Sequence, residues 1–292
     1  MYHRTIFFSV ALALAACSAP PEPLGPVDVL VTGDWLEANY DHPDLRVIHL
    51  YDQAEPAATI PGARTIPQVT FGQAPPAIAD ALTRAGITNE HHIVFVGEGS
   101  PLGASYAFAV LEQIGHRGKT SVLDGGFQMW ASANRKTGSP DDDVHEGGVP
   151  FAIQLADNVM VSTDWVAGKL GDSTITLLDV RSDAEYQGTN EGNAVKGRIP
   201  GSINMDYTLL YYSNDQPQVR PEETVRSLFA EAGADEGTAV IYCRSGRRAS
   251  YSYLVARHLG IDTRLYTESW NGWSRRENLP TETGPGVRIE LP

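Results

Sequence analysis

Ala239-Val240-Ile241-Tyr242-Cys243-Arg244-Ser245-Gly246-Arg247-Arg248-Ala249-Ser250 joins an apolar run to a glycine turn and then to a helical pattern. The run Ala239 to Tyr242 fits a strand buried on both faces, and from Arg248 to Leu259 the apolar residues return with the spacing of one helix face. The surroundings repeat this alternation. Thr174 to Val180 and Thr238 to Cys243 read as buried strands, and Pro221 to Ala232 reads as an amphipathic helix. The pattern predicts an α/β fold built on a mainly parallel sheet with helices on both faces. Such sheets hold ligands beyond the carboxyl ends of their strands, and Cys243 stands at such an end.

A cysteine ending a buried strand is ordinarily a small core residue. This one is followed by a glycine turn carrying Arg244, Arg247 and Arg248, which apolar packing does not require. A strand, a tight turn through Gly246 and a helix start leave backbone N–H groups unpaired at the positive end of a helix dipole, an anion cradle. A thiol placed there should have its thiolate stabilised and act as a nucleophile. Arg244, Ser245, Gly246, Arg247 and Arg248 are the candidate ligand contacts around it.

An internal repeat organises the chain. Val31-Thr32-Gly33-Asp34-Trp35-Leu36 returns as Val161-Ser162-Thr163-Asp164-Trp165-Val166, and Gln53-Ala54-Glu55 as Asp183-Ala184-Glu185. Ile60-Pro61-Gly62-Ala63 matches Ile199-Pro200-Gly201-Ser202, the second copy being longer by an insert around Gly188 to Lys196. Ile93-Val94-Phe95-Val96 is read as the counterpart of Val240-Ile241-Tyr242-Cys243, and Ala104-Ser105-Tyr106 of Ala249-Ser250-Tyr251. The expected organisation is a first domain over 28–137, a linker over 138–158 and a second domain over 159–292.

The 292 residues carry 22 Lys+Arg against 36 Asp+Glu, a formal charge of −14 with no offsetting basic run, so nucleic acid is not an expected partner. Two cysteines and eight scattered histidines give neither a disulfide framework nor a zinc spacing, so no metal is expected. At the N-terminus, His3 and Arg4 precede an apolar run, Ile6 to Ala16, that is shorter than the about 20 residues a membrane span needs. Residues 1–16 read as a signal peptide. Leu14-Ala15-Ala16-Cys17 is similar to the lipobox of bacterial lipoproteins, which implies lipid attachment at Cys17 and a proline-rich tether over 17–27. The expected location is the cell envelope, facing the periplasm, with Ser18 leaning toward the outer membrane.

The loop Cys243 to Arg248 resembles the six-residue active-site loop of rhodaneses, sulfurtransferases that carry sulfur as a cysteine persulfide. Leu178-Asp179-Val180-Arg181 with Glu185-Tyr186, and Gly197-Arg198-Ile199-Pro200-Gly201-Ser202-Ile203-Asn204, resemble two further signatures of that family. So do Val122 to Phe127 with Trp130, and Tyr266 with Ser269, Trp270 and Trp273. The resemblance covers about residues 28 to 285 and implies two tandem rhodanese-like domains, the first without a catalytic cysteine. It implies no cofactor, Cys243 as catalytic residue, a small anionic sulfur donor such as thiosulfate, and cyanide, a thiol or a protein as acceptor. Mercaptopyruvate as donor and a non-enzymatic persulfide relay remain the alternatives. The six-residue loop disfavours phosphatases, whose related loop is one residue longer. Arg198 stands where the family usually has histidine and would supply charge to the site if it points inward. Glu185 stands where vertebrate thiosulfate enzymes have arginine and would repel the donor. Asp179, Arg181 and Trp270 are expected to support the loop, Asp179 as a turn cap and Trp270 by packing.

Overall fold

The computed structural model describes residues 22–141, 148–190 and 195–291. The expected signal peptide, Cys17, and parts of the tether, linker and insert lie outside the described residues.

The first copy contains β1 (Leu30–Val31), α1 (Gly33–Asn39), β2 (Leu45–Tyr51), β3 (Arg64–Pro67), α2 (Pro75–Arg84), β4 (His92–Gly97), α3 (Leu102–Gln113), β5 (Thr120–Leu123) and α4 (Gly126–Ser132). The second contains β6 (Met160–Val161), α5 (Thr163–Ala167), β7 (Ile175–Asp179), α6 (Asp183–Gln187), β8 (Ile203–Asn204), α7 (Glu222–Glu231), β9 (Thr238–Tyr242), α8 (Arg247–His258), β10 (Thr263–Tyr266) and α9 (Ser269–Trp273). Each copy is a five-stranded sheet with the same strand order, β1-β5-β4-β2-β3 and β6-β10-β9-β7-β8, and every pairing within them is parallel. The α/β tandem fold is as expected. Its central strands, β4 and β9, are apolar and almost wholly buried because helices cover both faces. Side chains alternate between faces: Ile241 points to the core shared with α7 and α8, Val240 and Tyr242 to the core that holds Trp270 and Trp273.

The strand register corrects the repeat by one residue. Leu177, Leu178 and Asp179 pair with Val240, Ile241 and Tyr242, whereas Val47, Ile48 and His49 pair with Val94, Phe95 and Val96. Val94 and Val96 also share the α1 side of the first sheet, as Val240 and Tyr242 share the α5 side of the second. Gly97, not Val96, therefore occupies the position of Cys243. A one-residue slip inside an all-apolar run leaves no trace in the sequence, but it exchanges the two faces of the sheet.

Helices α3 and α8, each leading away from its copy's loop, pack on one another. Phe108 and Tyr253 meet with ring centroids 6.4 Å apart, and buried Glu112 accepts from Tyr253 Oη at 2.5 Å and from Arg257 Nη2 at 3.0 Å. The expected linker is fastened to the first copy: Phe151 is buried and donates its N–H to Thr83 Oγ1, and Gln154 and Ala156 donate to the carbonyls of Ile114 and Gln113. The two copies thus share one continuous apolar core.

Candidate active site

Cys243 follows the last residue of β9, the middle strand of its sheet, and its side chain is 1% exposed. The chain then turns through Gly246, whose φ of +85° suits glycine, and a Cβ there would lie 2.8 Å from the Thr267 carbonyl oxygen. This left-handed residue caps α8, so the helix starts at Arg247, one residue before the sequence expectation. The turn brings the Gly246 N–H to Cys243 Sγ, at 3.2 Å.

Three bonds to α9 hold the loop from behind. Cys243 N–H donates to Ser269 Oγ at 3.1 Å, Trp270 N–H to the Cys243 carbonyl at 3.0 Å, and Asn271 N–H to the Arg244 carbonyl at 3.0 Å. Among the described residues no acceptor takes the N–H groups of Arg244, Ser245, Arg247 or Arg248. With the Cys243 and Arg244 carbonyls engaged and these N–H groups free, the loop has the makings of an anion cradle. The sulfur packs on the core through one side and meets an amide on the other.

The arginines divide their tasks. Arg244 and Ser245 are exposed, and the Arg244 guanidinium has no partner among the described residues. Arg247 reaches across to the first copy, its guanidinium 4.5 Å from the ring centre of Tyr106 on α3. Arg248 forms a bidentate pair with Glu185, at 2.6 and 2.9 Å. Burial alone would lower Arg248 and raise Glu185, but their mutual bonds and charges reverse both, so both stay ionised. This corrects two expectations. Arg248 is committed to a carboxylate, and the charge of Glu185 is neutralised before it can repel a donor.

Arg198 is also corrected. Its guanidinium donates to the carbonyls of Gly284 (2.7 Å) and Pro285 (3.3 Å), lies near Glu282, and stacks 4.4 Å from the Tyr186 ring centre. It fastens the C-terminal tail instead of charging the loop, because the tail carbonyls would otherwise lack donors.

Asp179 and Arg181 form a wholly buried pair beneath the loop. Arg181 Nε and Nη2 bond the carboxylate at 2.9 and 2.5 Å, Nη2 also reaches the Gly197 carbonyl at 2.8 Å, and Asp179 caps its own turn by accepting Arg181 N–H. The guanidinium lies 4.9 Å from the Trp270 ring centre and 5.8 Å from that of Tyr242. Burial disfavours its charge, but Asp179 holds it above its ordinary value.

Tyr106 and the loop-bonding hydroxyl of Ser269 were not among the sequence candidates. Ser269 carried a usable signal, since it occupies the place of Gly126 in the repeat; the structure gives it a φ of +53°, uncommon for serine. Among the described residues no cluster of three or more His, Cys, Asp or Glu could hold a metal ion, and no helix is long and apolar enough to cross a membrane.

A model of the rhodanese-like domain matches twice, over residues 32–133 and 162–276. The chain belongs to the rhodanese family. Among its rhodanese relatives, the thiosulfate sulfurtransferase of Corynebacterium glutamicum is 28% identical, the match covering 89% of this chain and 92% of that one. The sulfur carrier protein TtuD of Thermus thermophilus is also 28% identical, over 88% and 97%. The solved structure of an EanB variant in complex with ergothioneine superposes with a TM-score of 0.74 at 25% identity, covering 88% of this chain and 70% of that one.

Proposed function

We propose that this rhodanese moves a sulfane sulfur from thiosulfate to cyanide or a thiol through a persulfide on Cys243. The observation that carries the proposal is the Gly246 N–H on Cys243 Sγ in a loop with four further free N–H groups. The Cys243 thiolate forms a bond to the outer sulfur of thiosulfate, and the S–S bond breaks with its electron pair leaving on sulfite. The free N–H groups hold the anionic donor and afterwards the terminal persulfide sulfur, with the uncommitted Arg244 as the candidate donor contact. Names of relatives at about 28% identity support sulfur transfer as the reaction class. The match to a sulfur carrier protein supports a second reading, a relay that delivers its sulfur to a protein. We further propose that the chain is tethered through a lipid on Cys17 at the periplasmic face of the envelope, a reading that rests on the sequence alone.

Protein lacking the tether is incubated with thiosulfate and then cyanide, and intact mass is followed. Gain of one sulfur on Cys243 with thiocyanate release supports the enzyme, whereas loading without turnover to cyanide or small thiols favours the relay. Cys243→Ser is expected to lose loading altogether, a fall of at least about 10³-fold in turnover, and retained turnover would overturn the mechanism.

A further inference from the structure

The cysteine-less loop of the first copy walls a cleft of about 440 Å³ lined by Asp52, Glu98, Ser100, Gly103 and, from the second copy, Arg247. Its volume lies within the roughly 300–1,000 Å³ of small-ligand sites, and its position beyond the carboxyl end of β4 is where parallel sheets hold ligands. The charge there is inverted relative to the active loop. By the strand register Glu98 stands in the place of Arg244, as Gly97 stands in the place of Cys243. Among the described residues neither Asp52 nor Glu98 has a hydrogen-bond or ion-pair partner for its carboxylate. Arg247, held by Tyr106, is at once a cleft wall and a member of the catalytic loop. The cleft therefore adjoins the cysteine loop at Arg247.

We propose that this cleft is the acceptor subsite and takes a small thiol bearing an ammonium group and no net negative charge. The inference rests on the sulfur-transfer reading and adds the identity of the second substrate. Two carboxylates against one guanidinium repel an anionic donor, so the donor is held at the loop's free N–H groups and Arg244 while the acceptor enters from the cleft. The acceptor's ammonium faces Asp52 and Glu98, and a carboxylate, where the thiol has one, faces Arg247. In the transfer step the acceptor thiolate forms a bond to the outer persulfide sulfur. The bond to Cys243 breaks, its electron pair returning to the Cys243 thiolate, and the persulfide leaves on the acceptor.

The test loads the protein at Cys243 with thiosulfate, or with inorganic polysulfide where thiosulfate gives nothing, and measures discharge to cysteamine and to mercaptopropionate. The double variant D52N/E98Q is compared with the parent, because the ratio of the two proteins cancels the intrinsic reactivity of each thiol. Both side chains are exposed, and a thermal melt checks that the variant folds. Discharge to cysteamine is expected to fall about tenfold, while discharge to mercaptopropionate holds or rises. Equal ratios for the two thiols would overturn the acceptor cleft while leaving sulfur transfer intact. Failure to load from every donor would overturn sulfur transfer itself, and the acceptor role with it.

Discussion

One framework carries two different floors beneath its loops. In the second copy Cys243 sits above the Asp179–Arg181 pair, which Trp270 and Tyr242 enclose. In the first copy Gly97 replaces the cysteine, His49 and Tyr51 replace the ion pair, and Phe127 replaces Trp270. There the imidazole Nδ1 meets Thr59 Oγ1 at 2.8 Å, and the ring lies 4.9 Å from that of Phe127. Where the loop has no cysteine, the floor is a neutral, aromatic packing. Where one is present, the fold retains a buried ion pair whose desolvation is offset only by close geometry.

The largest effect that separates the copies is acid. His49, His92 and His116 are buried in the first copy, and desolvation lowers each to about 4; among the described residues the second copy buries no histidine. A folded-state value below the ordinary 6.5 means that the fold prefers the neutral ring, so stability is complete above pH 6.5 and is lost as pH falls toward 4. Between pH 7 and 5 each histidine should contribute a loss of about 2 kcal/mol. Hydrogen exchange across that interval should show β2, β4 and β5 opening before β7 and β9. Simultaneous opening of both sheets, or opening of the second first, would break the contrast.

Arg181 tests the charged floor itself. Arg181→Met leaves the Asp179 carboxylate buried without its partner and is expected to cost about 3–5 kcal/mol, read from denaturant unfolding. Replacing the pair together, as D179N/R181M, should restore more than half of that loss while leaving sulfur loading impaired. Loading at the parent rate in the double variant would show that the pair serves folding alone.

These floors were only partly legible in the sequence. The α/β alternation, the tandem repeat and the cysteine loop follow from local periodicity and from residue types that need no tertiary partner to be recognised. Asp179 and Arg181 were visible as candidates through the resemblance of Leu178-Asp179-Val180-Arg181 to a family signature, and Asp179 also as a turn cap after a buried run. The destinations of long side chains were not. Arg198 and Arg248 reach partners far along the chain, Gly284 and Glu185, and nothing near either arginine announces which way it turns. The register of β4 was hidden for the opposite reason, since its run is apolar on both faces and either alignment fits the pattern.

The smallest expected effect sharpens the comparison most finely, at Ser269. Its backbone is left-handed, with φ of +53°, where the first copy has Gly126 with φ of +60°. Glycine is required in the first copy because a Cβ on Gly126 would lie 2.5 Å from the Gly97 carbonyl oxygen. The second copy retains a side chain at the same conformation, and its hydroxyl accepts the Cys243 N–H and donates to the Tyr266 carbonyl. Ser269→Gly removes backbone strain and removes an acceptor from a buried N–H, two changes of opposite sign, so stability should move by no more than about 1 kcal/mol. Sulfur loading should nevertheless slow by about three- to tenfold, because Cys243 loses the bond that fixes its amide relative to α9. Ser269→Ala keeps the strain, loses the same bond and should slow loading equally while unfolding more readily. A normal loading rate in both variants would make the hydroxyl a local structural bond, and the difference between Ser269 and Gly126 would then owe nothing to the nucleophile.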